Sequence, residues 1–340
     1  MTLFDPDSPA PGGAGGESVG PGLAQRPDST TSRDPARDAA AARAVTPATA
    51  PTEGILRLRL VVAYDGTGFR GFAAQPRQRT VGGELARVLE AVIGQPVELT
   101  CAGRTDAGVH AVGQVVHFDV DPAQARDAFF DADQPGHPDL VALKRSCNRM
   151  LGPEVVVRQA ERAGPYFDAR RSAVWRRYRY QVLNREEPDP FVARTVWHVD
   201  DPLDIRSMQL SCDAIHGEHD FASFCRRPQN AGGSTTRRVI RAGWNWRGPD
   251  LACFDILASA FCHQMVRSLV GTMVDIGRGR RVAGDMAWIL RSGDRSLAGP
   301  VAPPHGLCLE EVGYPEAADR LEGAARVGEG EGEGAVNECC

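Results

Sequence analysis

The run Leu56-Arg57-Leu58-Arg59-Leu60-Val61-Val62 opens with apolar residues at every second place, the pattern of a half-buried strand. Gly66, Gly68 and Gly71 follow and predict a mobile or tightly turned loop. Leu85, Val88, Leu89 and Val92 share one helical face, so a helix is expected from about Val81. Val97 to Cys101 predicts a short strand, and Val115 to Phe118 another. Leu140, Leu143, Cys147 and Leu151 mark a second helix, and Val155 to Val157 a closing strand.

A second unit repeats this plan. Arg176 to Leu183 alternates basic and aromatic residues and reads as a strand. Met208, Cys212 and Ile215 predict a helix. Val239 to Trp246 and Leu251 to Leu257 predict a hairpin turned by Gly248-Pro249-Asp250. Met265, Leu269, Met273 and Ile276 stripe a long helix; Met286, Ile289 and Leu290 mark a shorter one, and Leu307 to Val312 a last strand. Strands mixed with segregated helices make an α+β protein. Two similar α+β halves, 54–163 and 164–315, would leave a cleft between them, a favoured place for a ligand.

Composition adds tails to this picture. Residues 1–53 are rich in Pro, Gly, Ala, Ser and Thr without apolar periodicity, and 316–340 include Gly-Glu repeats at 328–334; both are expected to be disordered and solvated. The net charge of −5 is misleading for the remainder. The first tail holds 7 acids against 4 bases and the second 7 against 2, leaving +3 on residues 54–315. Local positive patches, not net charge, decide nucleic-acid binding. Lys144 is the sole lysine, so the basic surface is arginine. No apolar run reaches the roughly 18 residues of a membrane span. The start of the chain lacks the basic-then-apolar order of a secretory signal, so a cytoplasmic location is the expectation. The 9 cysteines show no Cys-x-x-Cys pair and no zinc-finger spacing. Cys101, Cys147, Cys253 and Cys308 read as small core residues, and Cys262 also lies in an apolar segment.

Gly103-Arg104-Thr105-Asp106-Ala107-Gly108-Val109-His110 is the most informative stretch. It lies between two strands, where a rigid scaffold presents functional loops. On residue chemistry alone two readings stand: a reactive carboxylate beside an arginine, or an Asx-turn residue that shapes the loop. His110 and His117 read as hydrogen-bonded structural residues.

This octapeptide resembles the signature of the tRNA pseudouridine synthase A family, in which the Asp is essential. Further blocks agree in order and spacing from about residue 55 to 315: Ala63 to Thr67, Phe167 to Ala173, Arg176 to Tyr180, His219 to Phe224, Met265 to Gly271 and His305 to Leu309. The resemblance implies the pseudouridine synthase fold, two α+β halves around a central, mostly antiparallel sheet. It implies a homodimer that binds tRNA and isomerises uridines at tRNA positions 38, 39 and 40, in the anticodon stem-loop, with no metal, nucleotide or organic cofactor. It assigns Asp106 as the catalytic carboxylate and Arg267 as its guanidinium partner. Tyr178 becomes the ring that stacks on the target uracil and aids removal of the C5 proton, with Tyr180 as a structural neighbour. Arg104 helps hold the flipped nucleotide, and Leu307 packs beneath the uracil.

Several positions depart from the family pattern. Phe72 stands where a tryptophan is usual, Ala73 and Gly82 where glutamines are, Gln264 where histidine is common and Ser268 where asparagine is. Two other classes remain to be separated. A catalytically silent tRNA-binding protein would not need Asp106, Tyr178 and Arg267 together. A glycoside hydrolase would need a second carboxylate across the scissile bond. Asp65, Asp168 and Asp220 lie in matched blocks, but the resemblance gives none of them an acid/base role.

Overall fold

Ten strands hydrogen-bond into one sheet among the residues that the computed structural model describes, 54–226 and 233–315. The tails expected to be disordered, 1–53 and 316–340, lie outside the described residues. The strands are β1 (Leu56–Tyr64), β2 (Thr100–Cys101), β3 (His110–Val120), β4 (Val155–Arg162), β5 (Trp175–Asn184), β6 (Trp197–Val199), β7 (Gly217–Asp220), β8 (Thr236–Trp246), β9 (Leu251–Ala258) and β10 (Leu307–Gly313). Their order is β4-β1-β3-β10-β5-β9-β8-β7, with β2 on β3 and β6 on β5. Pairings are antiparallel except β10 with β3 and β5 with β6. The protein is therefore α+β around a large, mostly antiparallel sheet.

The last strand in sequence sits at the middle of the sheet. β10 pairs Cys308 with His110 on one side, and Leu307 with Tyr180 and Leu309 with Tyr178 on the other. It joins the strands built before residue 163 to those built after 174. Partners in an antiparallel pair point to the same face, so Tyr178, Tyr180, Leu307 and Leu309 share one buried face.

Three of the five α-helices among the described residues are capped by side chains that their sequences supply. α1 (Val81–Ile93) begins at Thr80, whose hydroxyl accepts from Gly83 N at 3.2 Å, and α2 (Leu140–Leu151) at Asp139, which accepts from Ala142 N at 2.8 Å. α3 (Ile205–Cys212) starts at Asp204 in the same way. α4 (Met265–Gly277) differs: 12 of its 13 residues are buried, and the exception is Arg267. It crosses the core with only that residue partly exposed. α5 (Asp285–Ser292) follows. None of the helices among the described residues is long and apolar enough to cross a membrane.

Three features differ from the pattern-based expectation. The strand expected at Val97 to Cys101 shortens to Thr100–Cys101, because Pro96 has no N–H and Val97 N goes to the Glu90 carboxylate at 3.3 Å. β6 and β7, three and four residues long, carry too little pattern to be read. The polar face of β1 is covered rather than open to water. Arg57 is buried, bonded to both Asp119 oxygens at 2.7 and 2.8 Å and to the carbonyls of Pro165 and Phe167.

His117 lies under that same crossing segment. Its Nδ1 accepts from Ala169 N at 3.0 Å, and burial, reinforced by Arg57, lowers its pKa. Because the folded protein resists protonating it, the unfolded chain binds more protons as pH falls through about 6.5. Stability from this group is present above that value and is lost below it. The melting midpoint should fall between about pH 7.5 and 5.5, and fall less in His117→Asn, which keeps an acceptor for Ala169 N–H but does not titrate. Equal slopes in thermal unfolding would remove His117 as the cause.

Candidate active site

The loop from β2 into β3 is fixed before it reaches Asp106. Tyr64 Oη and Thr105 Oγ1 share a hydrogen bond of 2.8 Å, and Gln114 Nε2 donates to Gly103 O at 2.7 Å. Thr105 O accepts from Phe72 N at 3.1 Å. Gly71, at φ +97°, lets the neighbouring loop pass this close; a Cβ there would lie 2.9 Å from Thr105 O. Arg176 is buried and donates to Ala102 O, Arg170 O and Ser259 O, tying the loop's first residues to β9. Asp106 O then accepts from Val109 N at 3.2 Å.

The Asp106 carboxylate is hydrogen-bonded on one oxygen and has an imidazole near the other. Arg267 Nη1 donates to Oδ2 at 3.1 Å, across 161 positions of sequence. His263 Nε2 lies 3.4 Å from Oδ1. The Asp106 side chain is 26% exposed and Arg267 13%, so the pair is partly desolvated but reachable. Arg267 is itself oriented: its Nε donates to Ala302 O at 2.7 Å, and Ala302 N donates to Arg267 O at 3.0 Å. Gly271, one turn along α4, makes this clasp possible, because a Cβ there would overlap the Pro300 carbonyl.

Tyr178 stands beside this pair. Its ring is buried edge-on against Phe261, centroids 5.0 Å apart. Burial raises its phenol pKa far above the ordinary value; the Asp106 charge adds to that and Arg176 opposes it. Among the described residues its hydroxyl has no hydrogen-bond partner, whereas Tyr180 Oη donates to Pro303 O at 2.8 Å. The two tyrosines thus separate, one bonded into the fold and one with a free hydroxyl near the carboxylate. Leu307 is buried on the same face, opposite Tyr180. Arg104 does not join the cluster; its side chain is exposed on the rim, where its charge and that of Arg170 reach the Cys101 thiol.

The other basic residues of β5 face away from the site. Arg179 pairs with Asp255 at 2.8 Å and Arg177 with Glu311 at 3.2 Å. His110 is structural: Nδ1 accepts from Gly66 N at 3.1 Å and Nε2 meets Arg194 O at 2.8 Å. Cys147 and Cys253 are buried, as expected of core cysteines, while Cys101 and Cys308 are half-buried.

Two features escaped the sequence reading. His263 carried one signal, a histidine four residues before Arg267 in the turn entering α4. Cys225 and Cys262, 37 positions apart with no motif, form a disulfide with Cα atoms 5.7 Å apart. Two departures from the family pattern explain each other. Gly82 N donates to Phe72 O at 2.8 Å, and a Cβ at 82 would crowd Phe72, so a bulkier residue at 82 does not fit against Phe72 as placed. Nothing in the structure explains Ala73.

The cluster is thus one carboxylate bonded to an arginine, with a buried tyrosine beside it. A family profile described as tRNA pseudouridine synthase matches residues 212–315. The tRNA pseudouridine synthase A of Leifsonia xyli subsp. xyli is 42% identical over 278 residues, covering 79% of this chain and 95% of that protein. That of Frankia casuarinae is 41% identical over 280 residues, covering 80% and 95%, and that of Methylobacterium nodulans 41% over 263, covering 77% and 97%. A solved structure titled "Crystal Structure of a Cbf5-Nop10-Gar1 Complex" matches at 12% identity and a TM-score of 0.29, over 79% of this chain and 56% of that one, too low to bear on function. The chain belongs to the tRNA pseudouridine synthase A family.

The clasp on Arg267 yields a test. Gly271→Ala forces the Pro300–Ala302 backbone off α4 and should cost about 1–3 kcal/mol of stability by overpacking. Measured well below its melting point, the variant should also show a slower single-turnover rate, because Ala302 no longer orients Arg267. Lost stability with an unchanged rate would show that the clasp does not matter to Arg267.

Proposed function

We propose that this protein converts uridine to pseudouridine in tRNA, at positions 38, 39 and 40 of the anticodon stem-loop, with Asp106 as the reacting carboxylate. The observation that carries the reading is the Asp106 side chain held between Arg267 and His263 in a member of the tRNA pseudouridine synthase A family. Pseudouridine formation breaks the bond from ribose C1′ to uracil N1 and joins C1′ to C5. The C5 hydrogen leaves as a proton and N1 gains one, so atoms and electrons balance with no cofactor.

Attack at the sugar, attack at the base and proton abstraction from the sugar share one requirement, a carboxylate held in a single orientation. Arg267 meets it, because its planar fork is fixed by Ala302 on one nitrogen and meets Asp106 with another. The target base must leave its stack to reach this depth. Tyr178 offers a ring on which the uracil stacks, a contact worth about 1–3 kcal/mol. Its buried phenol stays protonated, so it handles the C5 proton as a relay rather than as a standing phenolate. Leu307 supports the base from the same face. Arg104 and Arg170 on the rim supply positive charge for the RNA backbone, Arg104 beside the flipped nucleotide. The halves 54–163 and 164–315 contribute Asp106 to one side and Tyr178 and Arg267 to the other. The family resemblance supports a homodimer acting in the cytoplasm.

Unmodified tRNA transcript tritiated at uridine C5 tests the reading. The protein should release one tritium per target uridine in the anticodon stem-loop, with or without a metal chelator; no release would overturn the proposal, and release lost to chelator and restored by zinc would overturn its cofactor-free form. On the same substrate Tyr178→Phe should bind normally and stall after glycosidic cleavage. Arg267→Lys should slow the chemical step and Arg267→Ala slow it by roughly a hundredfold or more, with RNA affinity near normal. Weak binding with a normal rate at saturation would make Arg267 a phosphate anchor instead.

A further inference from the structure

At the turn that enters α4 lies a cleft of about 530 Å³, lined by Ala222, Cys225, Arg226, Gln264, Gly293 and Arg295. None of these residues has a part in the site described above. The cleft adjoins that site: Gln264 follows His263, which reaches Asp106, and Arg226 N donates to His263 O at 2.9 Å. The Cys225–Cys262 disulfide pins one wall to the turn that carries His263.

We propose that this cleft is a phosphodiester subsite, seating a backbone phosphate of the RNA strand next to the target uridine. Three independent features favour an anion there. Arg226 and Arg295 have no carboxylate within ion-pair distance among the described residues, unlike Arg179, Arg267 and Arg278, which do. Acids close by in sequence have partners of their own: Asp220 accepts from Ala222 N and Thr235 Oγ1, and Asp294 from Ser296 N and Oγ. The second feature is that Arg295 is aimed. Its Nη2 donates to the hydroxyl of fully buried Ser268 at 3.1 Å, which fixes the fork at one end and leaves its remaining donors for a ligand. Ser268 is one of the departures from the family pattern, and this contact gives it a use. The third is the start of α4. Its N-cap Gln264, at φ 63°, lines the cleft and makes no side-chain cap bond, so the positive end of a thirteen-residue helix lies near its edge. The volume lies within the range of small-ligand pockets and accommodates a phosphate with its ribose.

The proposal rests on the uridine-isomerase reading, which supplies the RNA strand. Its role is to hold the backbone while the base turns in, so Arg226 and Arg295 are positioning residues. The test is a binding experiment on anticodon stem-loops that carry a single uncharged methylphosphonate at successive linkages around the target uridine. Arg295→Gln and Arg226→Ala should each weaken binding of the unmodified stem-loop roughly tenfold and lower the salt slope by about one. At one linkage flanking the target, the neutral substitution should cost the wild type a similar factor and cost Arg295→Gln nothing further. Wild-type affinity and salt slope in both variants, or losses that add at every linkage, would overturn the subsite. Should Arg295→Gln not fold, Arg226→Ala, an exposed position, carries the same comparison. Binding needs no turnover, so the two ideas fail separately. Isomerisation without coupling removes the subsite alone; coupling without isomerisation keeps the subsite and removes the proposed reaction.

Discussion

The contact between Arg267 and Asp106 is the constraint around which the rest of the structure is arranged. Its partners come from a loop between two strands and from a buried helix, at positions 161 residues apart. Neither can rely on local geometry. Asp106 sits in a glycine-containing loop that would otherwise wander, and it is steadied by Tyr64 on Thr105 and Gln114 on Gly103. Arg267 carries a long flexible side chain, whose freedom is removed by a buried helix beneath it and the Ala302 carbonyl beside it. Fixing such a side chain costs about 2 kcal/mol of rotamer entropy. The reciprocal main-chain bond to Ala302 and the absence of a side chain at Gly271 offset that cost structurally, before any substrate arrives.

The central place of β10 follows from the same constraint. A sheet ending at β3 on one side and starting at β5 on the other would let the two sets of strands shift, and the ion pair would open. The last strand closes that gap, bonding β3 and β5 at once and bringing Leu307 and Leu309 opposite the two tyrosines. The segment that leads into β10 contains Ala302 and Pro303, which hold Arg267 and Tyr180. One stretch of about a dozen residues near the end of the fold therefore sets the sheet, the arginine and the structural tyrosine together.

Much of this was legible in the residue pattern, and what was not has physical reasons. Helices α1 and α2 and the hairpin of β8 and β9 announce themselves through periodicity, because each buries one face. The Asp106 loop was visible as a glycine-flanked acid between strands, and its pairing with Arg267 came from family resemblance rather than spacing. Periodicity is silent about β10 lying between β3 and β5, since pairing partners leave no local mark. It misjudged Arg57, because the segment covering β1 is remote in sequence. His263 and the Cys225–Cys262 pair were missed for the same reason: each meets its partner only through tertiary structure. The basic character of β5 was legible, but not its division into a buried Arg176 and outward ion pairs at Arg177 and Arg179.

The central claim is that the Asp106 carboxylate does chemistry and not merely binding, and one substitution isolates it. Asp106→Asn keeps the shape and loses the charge, while the rim arginines proposed to meet RNA are untouched. Single-turnover pseudouridine formation and tRNA affinity should be measured on the same transcript for the wild type and this variant. The account predicts no turnover by Asp106→Asn with affinity within a few fold of the wild type. Measurable multiple turnover by the variant would contradict it.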